Sequence, residues 1–182
     1  MRLVILGATG AGKSTQAKRL SEHFNVPPIS TGELLRQAIA KDSELGAQAK
    51  QYLDAGELVP DQVMIQFMRS RLQQDDAVAG WILEGYPRTA FQAEELDFLL
   101  EELGKPLDWA IYLRLPEEVL VERSLERGNV DDTKEVIKRR LELFSDRTTT
   151  LLDYYEYKQK LLIIEGANAI DNVTQSILSK LG

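Results

Sequence analysis

Cysteine is absent from this 182-residue chain, and His23 is its only histidine. The first absence excludes disulfides, thiol nucleophiles and cysteine-ligated zinc. The second excludes a multi-histidine metal site and leaves His23 as the sole imidazole available for acid–base work. Positive charge is also in short supply: 22 Lys and Arg face 29 Asp and Glu, a formal charge of −7. Such a chain is ill suited to general binding of a nucleic-acid backbone, so an anionic ligand must find a local positive pocket. Long apolar runs are missing as well. The amino terminus, MRLVILG, is apolar for only a few residues before glycines arrive, too short for a signal peptide or a membrane span. The expectation is a soluble, cytoplasmic protein with neither nucleic acid nor membrane as a partner.

What is present alternates. Short apolar runs at 3–6, 26–29, 81–83, 109–113 and 161–164 lack polar alternation, which suits parallel strands covered on both faces. Helical patterns fill the gaps. Ala17, Leu20 and Phe24 mark one face, and Leu96, Leu99, Leu100 and Leu103 another. Val136, Ile137, Leu141 and Phe144 belong to a long helix reaching towards Lys158, and Ile170, Val173, Ile177 and Leu181 to a carboxyl-terminal one. Strands alternating with helices imply right-handed crossovers and an open α/β sheet, here one domain over 1–182. Only 33–73 breaks the alternation. It holds helical patterns alone, punctuated by Gly46, Gly56 and Pro60, and reads as a small helical insert over the site.

Residues 7–14, GATGAGKS, match the phosphate-loop pattern GxxxxGK[ST] between a strand and a helix. The glycines let backbone N–H groups turn inward around phosphate oxygens, and the helix amino terminus adds positive potential. Lys13 then sits on the β- and γ-phosphates, and the Ser14 hydroxyl is placed to ligate Mg²⁺. Farther on, Ser30 and Glu33 have capping-box spacing, as do Thr89 and Gln92. The run 81–92 is richer: a buried strand ends in Glu84, turns through Gly85 and Pro87, and presents Arg88. Glu84, beside the phosphate loop, is suited to hold a water of the Mg²⁺ shell, although a lone strand-end acid is more often merely solvated. Gln92 is equally suited to a cap or to a ligand.

Taken together, GATGAGKST, ISTGELLR, ELVPD, LEGYPRTAFQ and VDDTKEVIKRRL resemble the adenylate kinase branch of the nucleoside monophosphate kinases, in family order from Met1 to about Gly166. The resemblance implies a phosphate-loop NTPase fold with an open five-stranded parallel sheet, a helical monophosphate-binding segment at 30–59 and a short lid at 126–132. It implies the reaction ATP + AMP ⇌ 2 ADP with Mg²⁺, no zinc, and a monomer. ATP would lie against Gly10, Ala11, Gly12, Lys13, Ser14 and Thr15, with Arg123 on its adenine, Arg127 on its phosphates, and the Gly166–Asn168 turn near the base. AMP would be held by Thr31, Arg36, the backbone of Glu57, Leu58 and Val59, then Gly85, Tyr86, Pro87, Arg88 and Gln92, with Asn129 and Arg140. Thr31 and Gln92 resemble the adenylate type, where relatives acting on UMP or CMP tend to have Ala and Asn.

Lys13, Arg88, Arg123, Arg127 and Arg140 are the expected catalytic cations. Arg123 and Arg127 share a helix face as an i, i+4 pair. Arg140, four residues from both Val136 and Phe144, lies at the edge of an apolar face and must snorkel or meet an anion. With Arg36 these make six cations in an acidic chain. For a lone Arg the plain alternative is an exposed ion pair, with Glu118, Glu122 and Glu126 at hand. Asp131 and Asp132 read most simply as caps of the long helix; in the family they also help close the lid. Ser14 replaces the glycine usual in GKGT. Asn129 stands where a lid arginine is common, which implies slower turnover or weaker AMP binding. His23, ten residues past Lys13, reads as structural. A GTPase switch would require DxxG and [NT]KxD elements, neither of which is found. A UMP/CMP kinase, or a nucleotide-binding protein without turnover, fits the loop but fits Thr31, Gln92 and the cation set less well.

Overall fold

A computed structural model of the chain describes every residue except Asp42, Val130 and Asp131. The strands are β1 (Arg2–Leu6), β2 (Pro28–Ser30), β3 (Trp81–Glu84), β4 (Trp109–Arg114) and β5 (Leu161–Glu165). The helices are α1 (Lys13–Phe24), α2 (Thr31–Ala40), α3 (Glu44–Ala55), α4 (Asp61–Leu72), α5 (Ala90–Glu102), α6 (Glu117–Arg127), α7 (Lys134–Tyr157) and α8 (Ile170–Leu181). All five strands pair parallel in the order β2-β3-β1-β4-β5. β1 is central and the chain leaves it towards both edges, so the loops after the strands converge at one carboxyl end of the sheet. That convergence positions the site.

Strand alternation divides the core in two. Val4, Leu6, Leu83 and Ala110 face Leu96 and Leu100 of α5, Leu151 and Tyr155 of α7, and Met68 of α4. Leu3, Ile5, Ile82 and Ile111 face Ala17 and Leu20 of α1 and Val173 and Ile177 of α8. Continuous apolar strands thus do mark a doubly covered sheet. The exception is β5, at the edge, where Ile163 is 40% exposed and Lys180 Nζ donates to its carbonyl oxygen. A lysine there blunts a free edge against pairing with another chain.

β2 begins at Pro28, later than the apolar run suggests. Val26 N–H instead closes α1 by bonding Ser21 O, and Pro27, which has no N–H, only accepts, from Ile82 N. Two prolines in succession are tolerable because β2 is the other edge. The described residues between β2 and β3 form α2, α3, α4 and a short 3₁₀ turn at Asp75–Ala77, the strandless insert the pattern predicts. The cap of α7 differs from expectation. Thr133 Oγ1, not Asp132, accepts from Val136 N, while Asp131 lies outside the described residues. Among the described residues no helix is long and apolar enough to cross a membrane.

Candidate active site

The loop from Gly7 to Gly12 joins β1 to α1 and is seated on α6. At Gly10, where φ is +78°, an added Cβ would lie 2.2 Å from Leu120 O and 2.7 Å from Ser124 Oγ. Neither the dihedral nor the space admits a side chain. Lys13 Nζ donates to Ala8 O at 2.7 Å, folding the lysine back over the loop. Burial pushes the Lys13 ammonium down to about 8; Glu84 opposes this, and Arg88, Arg127 and Arg140 add to it.

Glu84 ends β3 opposite Ile5 of β1 and Ser30 of β2. The register therefore places its carboxylate between the phosphate loop and the start of α2. It is 7% exposed, so it is not the solvated strand-end acid that its position alone would suggest. Its Oε1 accepts from Ser14 Oγ at 3.1 Å and from Ser30 Oγ, while its carbonyl accepts from Thr31 Oγ1 at 3.2 Å. Gly85 follows with φ +84°, and a Cβ there would meet Thr31 Oγ1 at 2.3 Å. Thr31 and the turn after β3 are thus in immediate contact.

Arg88 leaves that turn with Nε bonded to Gly85 O at 2.8 Å. Surrounding protein and the Arg140 cation depress its pKa against the pull of Glu84. Gln92 enters the Thr89 cap of α5 by backbone only: its N–H donates to Thr89 Oγ1 at 3.1 Å. Its side chain turns elsewhere, Oε1 accepting from Arg88 N at 2.8 Å and Nε2 donating to Asp61 Oδ1 at 2.7 Å.

One arginine of α6 and one of α7 meet on Asp132. Arg127 bonds its two oxygens at 2.8 and 2.7 Å, and Arg140 Nη1 lies 3.3 Å from Oδ1. Asn129 N–H adds a bond at 3.2 Å. The Asp132 side chain is only 1% exposed. Burial alone would raise its pKa, but the Arg127 hydrogen bonds and charge, with Asn129 N–H and Arg140, hold it below the usual carboxylate value. Asp132 is therefore a counter-ion for two cations rather than a helix cap. Arg127 Nη2 also reaches Thr9 Oγ1 at 3.1 Å, while Arg123 Nη1 donates to Gly166 O at 3.1 Å. From the insert, Leu53 O lies 3.5 Å from Arg140 Nη2, and Glu57 pairs with Arg139 at 2.6 Å.

These groups surround one cavity of about 570 Å³. Gly10, Ala11, Gly12, Lys13, Ser14, Thr15, Thr31, Arg36, Glu57, Leu58, Val59, Glu84, Gly85, Tyr86, Pro87, Arg88, Gln92, Arg123, Arg127, Arg140, Gly166 and Asn168 all line it. Of the residues expected to touch a nucleotide, Asn129 is the exception. It meets Asp132 through its backbone and stands off the wall. Sequence reasoning missed the apolar lining from Leu35, Met64, Leu143 and Leu151, and also Asp61, which stands behind Gln92 as its hydrogen-bond partner but reads as an ordinary acid in the first turn of a helix. His23 is exposed at the far end of α1, its ring edge-on to Phe24.

Among the described residues no group of three or more His, Cys, Asp or Glu comes together to hold a metal unaided. Ser14 and Glu84 instead offer a hydroxyl and a carboxylate side by side. An oxygen-only pair of this kind suits a hard cation that takes its other ligands from phosphate and water. Six cations, Lys13, Arg36, Arg88, Arg123, Arg127 and Arg140, line the same cavity and equip it for more than one phosphate group.

Residues 5–160 match the family model described as "Adenylate kinase". "Adenylate kinase 2" of a Nostoc species is 58% identical over 181 residues, spanning 100% of this chain and 98% of its own. "Adenylate kinase 2" of a Synechocystis species is 54% identical, with 100% of both chains covered. "Adenylate kinase" of Bifidobacterium longum is 45% identical over 185 residues, again spanning 100% of both.

Proposed function

The chain belongs to the adenylate kinase family, and from that premise we propose that it transfers the terminal phosphoryl group of ATP to AMP, reversibly, giving two ADP. One observation carries this reading: the phosphate loop and the wall formed by Thr31, Gly85, Arg88 and Gln92 line a single cavity and are joined through Glu84. A donor triphosphate on the loop side and an acceptor monophosphate on the other bring their phosphates together between Lys13, Arg88, Arg127 and Arg140.

A phosphate oxygen of AMP forms the new bond to the γ-phosphorus, and the bond to the β,γ-bridging oxygen breaks. No protein nucleophile or base is required, which suits a chain with no cysteine and with its one histidine off the site. Placement and charge neutralisation supply the acceleration. Lys13 and the arginines carry that charge. Ser14 Oγ and, through a water, Glu84 are the residues that would hold Mg²⁺, which when bound neutralises phosphate charge. Segment 30–59 serves as the acceptor-binding arm, tied to α7 by the Glu57–Arg139 pair, and 126–132 as a short lid that keeps water from the phosphoryl group, with Asp42, Val130 and Asp131 of these segments outside the described residues. We assign the protein to the cytoplasm, working as a monomer.

If Ser14 Oγ contacts the ion, Ser14→Gly raises the Mg²⁺ concentration needed for half-maximal turnover about fivefold or more. A titration of turnover against Mg²⁺ reads this directly, and an unchanged midpoint removes the assignment. The reaction itself is tested by Mg²⁺-dependent ADP formation from ATP with AMP, UMP, CMP and GMP as parallel acceptors. Strong transfer to AMP alone is expected; preference for another monophosphate overturns the acceptor assignment.

A further inference from the structure

Gln92 is held at both ends of its amide. Nε2 donates to Asp61 Oδ1 at 2.7 Å, and Oε1 accepts the Arg88 backbone N–H at 2.8 Å. These partners decide which end is which. A carboxylate only accepts and a backbone N–H only donates, so the nitrogen must face Asp61 and the oxygen Arg88. The backbone of Gln92 is braced too, by Thr89 Oγ1 on its N–H and by Tyr86 OH, which donates to its carbonyl at 3.2 Å. The residue is only 2% exposed and lines the cavity beside Thr31 and Gly85.

One N–H and one oxygen lone pair of the amide remain for a ligand. Resting on the reading that this wall takes the acceptor base, we infer that Asp61 is a positioning residue that locks Gln92 to read a 6-aminopurine and reject a 6-oxopurine. Adenine presents an acceptor at N1 and a donor at its 6-amino group. Hypoxanthine and guanine present the reverse, a donor at N1 and an acceptor at O6. An unanchored amide turns over and serves either base. Here turning over would set Oε1 against the Asp61 carboxylate and Nε2 against the Arg88 N–H, two repulsive contacts in place of two hydrogen bonds. Asp61 opens α4, and Met64 and Met68 of that helix are buried, so the anchor is mounted on a packed element rather than on a loop.

The test compares kcat/KM for AMP and for inosine 5′-monophosphate in the unaltered protein and in Asp61→Asn. A carboxamide at 61 donates or accepts, so Gln92 finds a partner there in either orientation. The unaltered preference for AMP, roughly 100-fold or more, is expected to fall about tenfold or more, with KM for AMP rising more than kcat falls. Asp61→Glu, which restores the carboxylate, is expected to recover part of the preference. An Asp61 that merely favoured the start of α4 would affect both acceptors alike, and an unmoved ratio overturns the inference. A second comparison needs no variant. Purine riboside 5′-monophosphate keeps the N1 acceptor but lacks the amino group, and the unaltered protein is expected to use it better than inosine monophosphate. Equal use of AMP and inosine monophosphate overturns the role of Asp61 while leaving phosphoryl transfer intact, whereas no transfer to AMP overturns both.

Discussion

Exchange of Lys13 for Met is expected to lower kcat/KM for ATP by a factor of about 10³ or more, and at the same time to raise the Tm of the nucleotide-free protein. Both effects follow from where the ammonium sits. It is folded over the phosphate loop onto Ala8 O and shares the cavity with Arg88, Arg127 and Arg140. Without ligand that charge is a burden, which is why burial, with the arginines adding, pushes its pKa down to about 8. A base whose pKa is lowered by folding destabilises the fold while it is charged, and the burden lifts as pH rises from about 8 towards the ordinary lysine value. Removing the charge at pH 7 is therefore expected to stabilise the empty protein while removing the cation proposed to meet the triphosphate.

The same geometry sets a pH dependence for binding. The free protein loses the Lys13 charge as pH rises through about 8, whereas a triphosphate bound as proposed would hold the proton on. ATP affinity is expected to be flat below that point with respect to this group, and to weaken by up to about tenfold per pH unit above it. In Lys13→Met that component disappears. Calorimetric titration of both proteins between pH 7 and 9.5 checks it; a parallel decline in both would assign the effect elsewhere.

Arg88→Ala is expected to lower kcat/KM for AMP about 10²- to 10³-fold, with ATP affinity much less affected. Arg88 Nε is spent on Gly85 O, which orients the guanidinium and leaves its two Nη groups for an anion. A planar fork of that kind holds a phosphate through two parallel hydrogen bonds. Lysine supplies charge without the fork and without a counterpart to the Gly85 bond, so Arg88→Lys is expected to recover less than about a tenth of the lost activity. Full recovery by lysine would reduce the role of Arg88 to charge alone.

The layout of the candidate cavity was legible because its signals are local. Glycines at fixed offsets before Lys13, a strand ending at Glu84 and Arg140 at the edge of an apolar face each state a constraint within a few residues. The sheet order then brings them together, since β1 lies between β3 and β4 and the loops share one end. What sequence reading missed depends on partners far along the chain. Asp132 reads as a cap because capping is the commonest local use of an acid before a helix, yet Arg127 and Arg140 claim its carboxylate and Thr133 takes the cap. At Glu84 the sequence leaves two readings open, a carboxylate of the metal site and a solvated strand-end acid, and it takes the register of β2 and β1 on either side to show that the side chain is covered. Asp61 and Gln92 are 31 residues apart and meet only because α4 packs beside α5. Ile163 belongs to an apolar run like the others, and only strand order reveals that its face is an outer edge.

A cavity that holds two nucleotides at once and passes a phosphoryl group between them must also convert two ADP into ATP and AMP. ADP as the sole nucleotide, with Mg²⁺, tests it most directly, followed by ³¹P NMR. ADP resonances are expected to decline while those of ATP and AMP grow in equal amounts, without inorganic phosphate, until all three coexist. Release of inorganic phosphate without ATP, or ADP that binds and remains unchanged, would contradict it.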